Sequence, residues 1–293
     1  MSAAGTIDAA WRAAHPLPGI GDGQDKEERG RALVVGGSAF VPGALRLTGE
    51  ALLRAGAGKV QLATIEAAAM PLGVLFPEAA MIALPADDKG EIAGAALVRL
   101  EAAAKACGAL ILGPGMQCRP HTAALVEALL DAIGNDSPVL LDAGAMTAMA
   151  GREAVLRRHG GRIVMTPHHG ELAALTGASK EDIARDPQAA AVDAAMRFGS
   201  IVVLKSAETW IANGAVPQRY ASKAPGLGTA GSGDVLAGVI GGLLARGMDP
   251  VAAAGWGVWL HGEAGQAASA AIGPTGYLAR DLLSHIPGLM DAC

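Results

Sequence analysis

Aromatic residues make up only 3% of the 293 residues, so a core must be assembled from Ala, Val, Leu and Ile. That favours closely approaching helices and strands over aromatic-rich interaction surfaces. Cysteine is nearly absent as well. Cys107, Cys118 and Cys293 are odd in number and have no C-x-x-C spacing, which excludes a disulfide framework and a structural zinc site and points to a reducing cytoplasm. There is no dense Lys/Arg run, and 23 basic against 28 acidic residues give a formal net charge of -5, which offers no electrostatic footprint for nucleic acid. A small anion remains open as a ligand, because backbone N–H groups at a helix N-terminus bind phosphate without a basic surface. Long apolar runs are missing too. The most apolar stretch, residues 235–244, makes a helix of about 15 Å against roughly 30 Å of hydrocarbon, so no membrane span is expected. The opening MSAAGTIDAAWRAAHP has neither the basic n-region nor the apolar h-region of a secretory leader, and none is expected.

What is present is 51% hydrophobic residue content, which excludes disorder as the dominant state, together with 41 Gly and 16 Pro. Length alone does not choose between one large and two small domains. Residues 1–30, with GIGDGQDKEERG, read as a mobile or surface lead-in, and residues 31–293 as a single domain without a Pro-, Ser- or charge-rich linker. Short apolar runs at 32–35, 59–63, 81–84, 110–112, 139–141, 162–165 and 201–204 predict strands. Helical stretches are predicted at 44–55, 92–106, 121–133, 170–175, 186–198 and 234–246, and the chain reads as helical from there to its end. Strands that are continuously apolar, rather than alternating, are covered by helices on both faces. The fold class expected is therefore α/β, a doubly wound, mostly parallel sheet with helices on both faces. Residues 208–222, with a turn at Asn213-Gly214, predict a small antiparallel hairpin attached to it. No repeat at a solenoid period is found.

The strongest local signal is GLGTAGSGD at 226–234, running into VLAGVIGGLLARG. Its glycines let a ligand approach the backbone, and the helix beginning near Gly233 turns its unpaired N–H groups and positive dipole end toward the loop. Gly231, Ser232 and Gly233 thereby form a candidate anion hole. Asp234 reads in two ways, as an N-terminal capping residue or as a general base beside a phosphate. G-x-G-x-x-G occurs at 226, 228 and 231, but a Rossmann site is rejected because no strand directly precedes it and no acid-ending strand follows the helix. Walker A and G-x-S-x-G sequences are absent. Three further turns follow predicted strands: VVGGSAFVPGA at 34–44, LGPGM at 112–116 and MTPHHGE at 165–171. Each has a plain structural reading, as a tight turn or, for Thr166, His168 and Glu171, as helix capping and dipole complement. His168 is alternatively a donor to a ligand. Lys205, at the end of the strand in VVLKSAET, is either a surface charge or a phosphate contact. Loops at strand C-terminal ends converge in open α/β sheets, so these turns and the anion hole together point to a nucleotide site beside a second substrate pocket.

Taken in order, GGS at 36–38 with PGA at 42–44, GPG at 113–115, LDA at 141–143, TPHHGE at 166–171, KSAET at 205–209 and GSGD at 231–234 resemble the ADP/ATP-dependent NAD(P)H-hydrate dehydratases of the ribokinase-like superfamily, from about residue 26 onward. The resemblance implies a ribokinase-like fold in which Ala44, Gly115, His168 and Asp234 line the site for the hydrated nicotinamide nucleotide. It implies that Lys205, Ser206, Ala207, Glu208, Thr209 and Gly233 hold ADP or ATP with Mg2+, whose protein ligands are not assigned. The implied reaction phosphorylates the hydroxyl of hydrated NADH or NADPH (NAD(P)HX) and eliminates phosphate. Asp234 would act as base, Gly231, Ser232 and Gly233 would stabilise the transferring phosphoryl, and His168 would orient the substrate. Departures from the family pattern are Gly144 for a second acid, Ala224 for Asn, Ala230 for Gly and Ser206 for Gly. No fused epimerase domain is expected, although an epimerase partner acting on the same substrate is. The Gly- and Ala-rich C-terminal helices suggest a homo-oligomer. Two alternatives to the dehydratase are a ribokinase-like kinase for a sugar or hydroxyethylthiazole-type alcohol, and a non-catalytic nucleotide-binding regulator.

Overall fold

Ten strands form one sheet in the computed structural model, which describes residues 4–19 and 25–291. They are β1 (Gly5–Thr6), β2 (Arg31–Val35), β3 (Lys59–Ile65), β4 (Ala80–Leu84), β5 (Ala109–Leu112), β6 (Val139–Leu141), β7 (Ile163–Met165), β8 (Ile201–Leu204), β9 (Glu208–Ala212) and β10 (Gln218–Ala221). Their order across the sheet is β1-β10-β9-β8-β7-β6-β5-β2-β3-β4. Every neighbouring pair is parallel except the two made by β9, so β9 alone runs against the rest. All residues of β5, β6, β7 and β8 are buried. Successive side chains of a strand point to opposite faces, so this burial requires helices on both sides, as the continuously apolar runs predicted. The expected hairpin is β9 and β10. Its connection is longer than a two-residue turn, with Asn213 Oδ1 accepting from the Ala215 N–H at 3.1 Å and Gly214 at φ 86°.

The helix Ser232–Ala245 is buried at 12 of its 14 positions and lies along the helix Ala44–Arg54. A Cβ added at Gly238 would sit 2.3 Å from the Thr48 carbonyl oxygen, and one at Gly242 2.5 Å from that of Leu52. Any side chain there would push the helices apart, so the apolar GVIGG run is a packing seam. No helix among the described residues is long and apolar enough to cross a membrane.

The stretch read as a lead-in is packed onto the domain over residues 4–19. β1 pairs with β10, Ile7 is buried, and Trp11 of the helix Ala9–Ala14 lies so close over Gly255 that a Cβ there would be 2.3 Å from its ring. The Arg12 guanidinium stacks 3.9 Å from the Trp259 ring, and Trp256 Nε1–H donates to the His15 carbonyl at 2.6 Å. Isolated apolar residues such as Ile7 show no periodicity, and their docking partner lies some 240 positions away. Residues 20–24 of that stretch, and Cys293, fall outside the described residues.

The helix predicted from 92 begins instead at Leu97, after a 3-10 turn Gly94–Ala96, because Ile92 bridges to Ala86. Helices Glu66–Leu75, Ala143–Thr147, Glu153–Arg158 and Lys180–Arg185 were not expected. The C-terminal region contains the helix Pro250–Ile272, capped by Asp249, then a 3-10 turn Ala279–Leu282 and the helix Ile286–Asp291.

Candidate active site

β2 lies between β3 and β5, so successive connections leave it in opposite directions, and the loops at this point of reversal open a crevice at the strand C-terminal ends. Two glycine turns line that crevice. The Gly37 N–H donates to the Pro114 carbonyl at 2.7 Å, joining the loop after β2 to the loop after β5. Gly115, at φ 71°, sits so close to the start of the helix Ala44–Arg54 that an added Cβ would be 2.7 Å from Ala44 Cβ and 2.7 Å from the Val41 carbonyl oxygen. Buried Glu91, 3% exposed, accepts from the Gln117 N–H at 3.1 Å and from Ser38, tying the same two loops from behind. Its burial raises the carboxyl pKa.

Beside these turns stands a cluster of three carboxylates around one ammonium. Lys205 Nζ lies 3.1 Å from Asp142 Oδ1 and 3.7 Å from Glu171 Oε2. Asp142, 5% exposed at its side chain, also accepts from the Thr166 hydroxyl at 2.6 Å. The next residue, Ala143, has φ 44°, the one non-glycine in the left-handed region among the described residues, a strain of about 1–2 kcal/mol held by the surrounding contacts. Burial lowers the Lys205 pKa, but Asp142, Glu171 and Asp234 outweigh it, so the lysine is a held cation and not a surface charge.

Asp234 stands in the first turn of the helix Ser232–Ala245 without capping it. The N-cap is Gly231, at φ 86°, and no side chain caps this terminus. Burial, then the negative charges of Asp142 and Glu171, push the Asp234 pKa up to about 7, with Lys205 opposing. A carboxyl poised there suits proton abstraction near neutrality. Leu47, one turn into the helix that begins at Ala44, reaches Gly231, where an added Cβ would be 2.6 Å from its Cδ1 and 3.9 Å from Asp234 Oδ2. Ala44, Gly115 and Asp234 therefore share one wall of the crevice.

A cavity of about 550 Å³ opens on the other side of the same turn. Lys205, Ser206, Ala207, Thr209, Ser232, Gly233 and His168 line it, with Ala224, Leu227, Leu236 and Val258 as its apolar part. Glu208 does not. Its carboxylate pairs with Arg219 across the hairpin at 2.7 Å, because β9 alternation turns it away. The expected anion hole is altered at one member. The Ser232 N–H donates to the Thr229 carbonyl at 3.2 Å, whereas those of Gly231, Gly233 and Asp234 have no partner among the described residues. His168 caps the helix His169–Thr176, its Nδ1 accepting from the Gly170 and Glu171 N–H groups at 3.0 and 3.1 Å, while Glu171 bonds back to the His168 N–H. The ring remains 60% exposed at its side chain, with Nε2 3.6 Å from Glu171 Oε2.

Three polar residues of the site were not among the expected site residues, Glu171 having been read only as a dipole complement. Asp142 and Glu171 carry a local signal, an acid directly after an apolar run and an acid in a first turn. His261 carries none, being mid-helix in an apolar stretch, yet it lines the cavity 2.8 Å from Ser232 Oγ.

The family model for NAD(P)H-hydrate dehydratase matches residues 32–288. The chain belongs to the NAD(P)H-hydrate dehydratase family. It is 44% identical over 289 residues to the ADP-dependent (S)-NAD(P)H-hydrate dehydratase of Xanthomonas campestris, covering 98% of this chain and 96% of that one. It is 36% identical to a bifunctional NAD(P)H-hydrate repair enzyme of Moorella thermoacetica, covering 96% of this chain but only 53% of that protein. The ADP/ATP-dependent NAD(P)H-hydrate dehydratase of Bacillus subtilis, co-crystallised with ATP/Mg2+, superposes with a TM-score of 0.81 at 26% identity, covering 99% and 98% of the two chains. The fold is ribokinase-like.

Among the departures expected for this dehydratase, Gly144 has a steric cause. A Cβ there would sit 2.5 Å from Gln117 C, 2.7 Å from the Met116 carbonyl oxygen and 2.8 Å from Cys118 N, so the loop after β5 occupies the space of an acid. Ala224 is buried at the cavity, and Ser206 bonds the Glu208 carbonyl at 2.5 Å. Nothing in the structure explains Ala230. Among the described residues no group of three or more His, Cys, Asp or Glu is arranged to hold a metal. Asp142 and Glu171, the carboxylates beside Lys205, are oxygen donors of the kind Mg2+ takes alongside nucleotide phosphates.

Proposed function

We propose that the chain restores NAD(P)HX to NAD(P)H at the expense of ADP or ATP. The hydroxyl oxygen of the hydrated ring attacks the terminal phosphorus and the P–O bond to the nucleotide breaks; the phosphorylated ring then expels inorganic phosphate with the oxygen of the added water while the adjacent ring carbon gives up a proton to solvent, and the C–H electron pair becomes the restored double bond. The observation that carries this reading is Asp234, its pKa at about 7, one helical turn deep between the glycine wall at Ala44 and Gly115 and the cavity beyond Gly233. Asp234 takes the hydroxyl proton as phosphorus is attacked, and the free N–H groups of Gly231, Gly233 and Asp234 receive the developing negative charge. Lys205, Ser206, Ala207 and Thr209 hold the nucleotide, and His168 orients the second substrate from the cavity mouth. Mg2+ would neutralise the nucleotide phosphates when bound, and Asp142 and Glu171 are the carboxylates that would help hold it.

An epimerase acts as functional partner by supplying the reactive epimer, a pairing supported by the bifunctional relatives, of which this chain spans about half the length. Assembly of copies is supported by Met70 and Val74, 76% and 73% exposed on the helix Glu66–Leu75 next to the sheet edge β4. A reducing cytoplasm suits the unpaired Cys107 and Cys118. The test is incubation of NADHX with ADP or ATP and Mg2+, following the absorbance of reduced nicotinamide. Recovery with nucleotide alone supports the reading. A stable phosphorylated product without recovery replaces it with a small-molecule kinase, and ADP binding without any turnover replaces it with a regulator.

A further inference from the structure

Ser232 sits at the first position of the helix Ser232–Ala245, 5% exposed, inside the wall of the nucleotide cavity. It has two donors. Its N–H is already given to the Thr229 carbonyl, so only the hydroxyl proton is left for an anion in the cavity. The hydroxyl oxygen lies 2.8 Å from Nε2 of His261, which enters the same cavity from the helix Pro250–Ile272. Burial, helped by the Lys205 ammonium and opposed by a hydrogen bond to the Ser232 backbone, lowers the His261 ring to a pKa of about 4, so the ring is neutral near pH 7 and carries one N–H. If Nε2 accepted, it would consume the serine proton and present only oxygen lone pairs to a phosphate. If Nε2–H donates, the O–H is released and aimed away from the ring. An arriving phosphate selects the second arrangement, since two lone-pair-bearing groups do not share a desolvated contact.

We propose that His261 is a positioning residue of the anion-binding turn, its Nε2–H donating to Ser232 Oγ so that the serine O–H is directed at the nucleotide phosphate. This rests on the reading of the cavity as the nucleotide site and adds to it a hydrogen-bonded pair from two helices that the chain brings together across 29 positions. The loss of one charge-assisted hydrogen bond of this kind corresponds to about 10- to 100-fold in affinity.

The experiment compares the wild type with S232A, H261L, H261Q and the double variant S232A/H261L. ADP affinity is read by titration calorimetry, kcat and KM by NADHX turnover, and folding by thermal melting. S232A and H261L are each expected to weaken ADP binding by about 10- to 100-fold. The double variant is expected to be no weaker than S232A within about twofold, because His261 acts through the serine. H261Q, whose amide N–H replaces Nε2–H, is expected to recover most of the loss, which a merely space-filling role would not produce. Wild-type affinity in S232A, or multiplication of the two losses in the double variant, overturns the proposal. Should H261L not fold, S232A and H261Q decide alone, with loss in the first and retention in the second required. A wild type that binds ADP but leaves NADHX unchanged overturns the dehydratase reading and leaves this pair to be judged by affinity. A wild type that does not bind ADP overturns both.

Discussion

Replacing Asp234 by Asn separates the chemistry of the site from its stability. Removing the base is expected to lower turnover of NADHX by about 10²-fold or more. The same substitution is expected to make the protein more stable above neutrality. Burial and the charges of Asp142 and Glu171 raise the Asp234 pKa from 3.8 to about 7, so the folded chain binds a proton that the unfolded chain has released between those values. Stability from this group is complete below the ordinary carboxylate range and is lost as pH rises through about 7. At about 1.4 kcal/mol per tenfold change in proton affinity, ionising it at pH 8 costs about 4 kcal/mol, of which solvent screening at the part-exposed carboxylate leaves about 2 kcal/mol. For a chain of this size that is a rise in Tm of about 4–8 °C for D234N at pH 8. At pH 5, where the folded carboxyl is neutral but the unfolded one has mostly ionised, the difference is expected to shrink to less than half of that, about 0.8 kcal/mol. Calorimetric scans of both proteins at the two pH values, alongside the NADHX assay, measure it. A Tm gain of equal size at pH 5 and pH 8, or a less stable variant at pH 8, would refute the assignment of a strained carboxylate to this position.

The wild-type rate itself is expected to rise with pH through about 7 as Asp234 ionises, and a flat kcat profile from pH 5 to 8 would remove Asp234 as the base. Lys205→Ala leaves Asp142 and Glu171 facing each other without a cation, so it is expected to cost about 3–5 kcal/mol in denaturant unfolding at pH 7 as well as nucleotide affinity. An unchanged midpoint would return the lysine to a dispensable role. Gly144→Asp, which restores the family's second acid, is expected to lower stability by about 2 kcal/mol or more without raising kcat, because its Cβ has no room beside residues 116–118. His168→Ala is expected to cost about 1 kcal/mol through the lost cap and to raise KM for NADHX more than it lowers kcat.

The alternation of apolar runs and Ala-rich stretches already contained the parallel sheet, since β5 to β8 are buried on both faces and need no pattern beyond continuous hydrophobicity. The turns at 36–38, 113–115 and 231–234 were legible because glycine marks places where backbone must come close to backbone or ligand. The helix Ser232–Ala245 was visible as an apolar stretch, but that Gly238 and Gly242 face the helix Ala44–Arg54 depends on which helix the fold lays beside it. Glu208 and Lys205 illustrate the limit within one turn: alternation in β9 sends the first to Arg219 on the surface, while the second enters a cluster whose members follow β6, β7 and β8 in the chain.

Residue order by itself determined the α/β class, the glycine turns that follow the strands and the acid in the first turn of the helix Ser232–Ala245, because these depend on contacts within a few positions or on the hydrophobicity of a single segment. Tertiary structure alone decided that Asp234 has a pKa of about 7, that Lys205 is held by Asp142 and Glu171, that residues 4–19 dock on Gly255, and that His261 meets Ser232. Each of these is a distance between groups far apart in the chain, and the electrostatic and steric energies that follow are functions of that distance and of the water excluded from it, neither of which is carried by any local stretch of sequence.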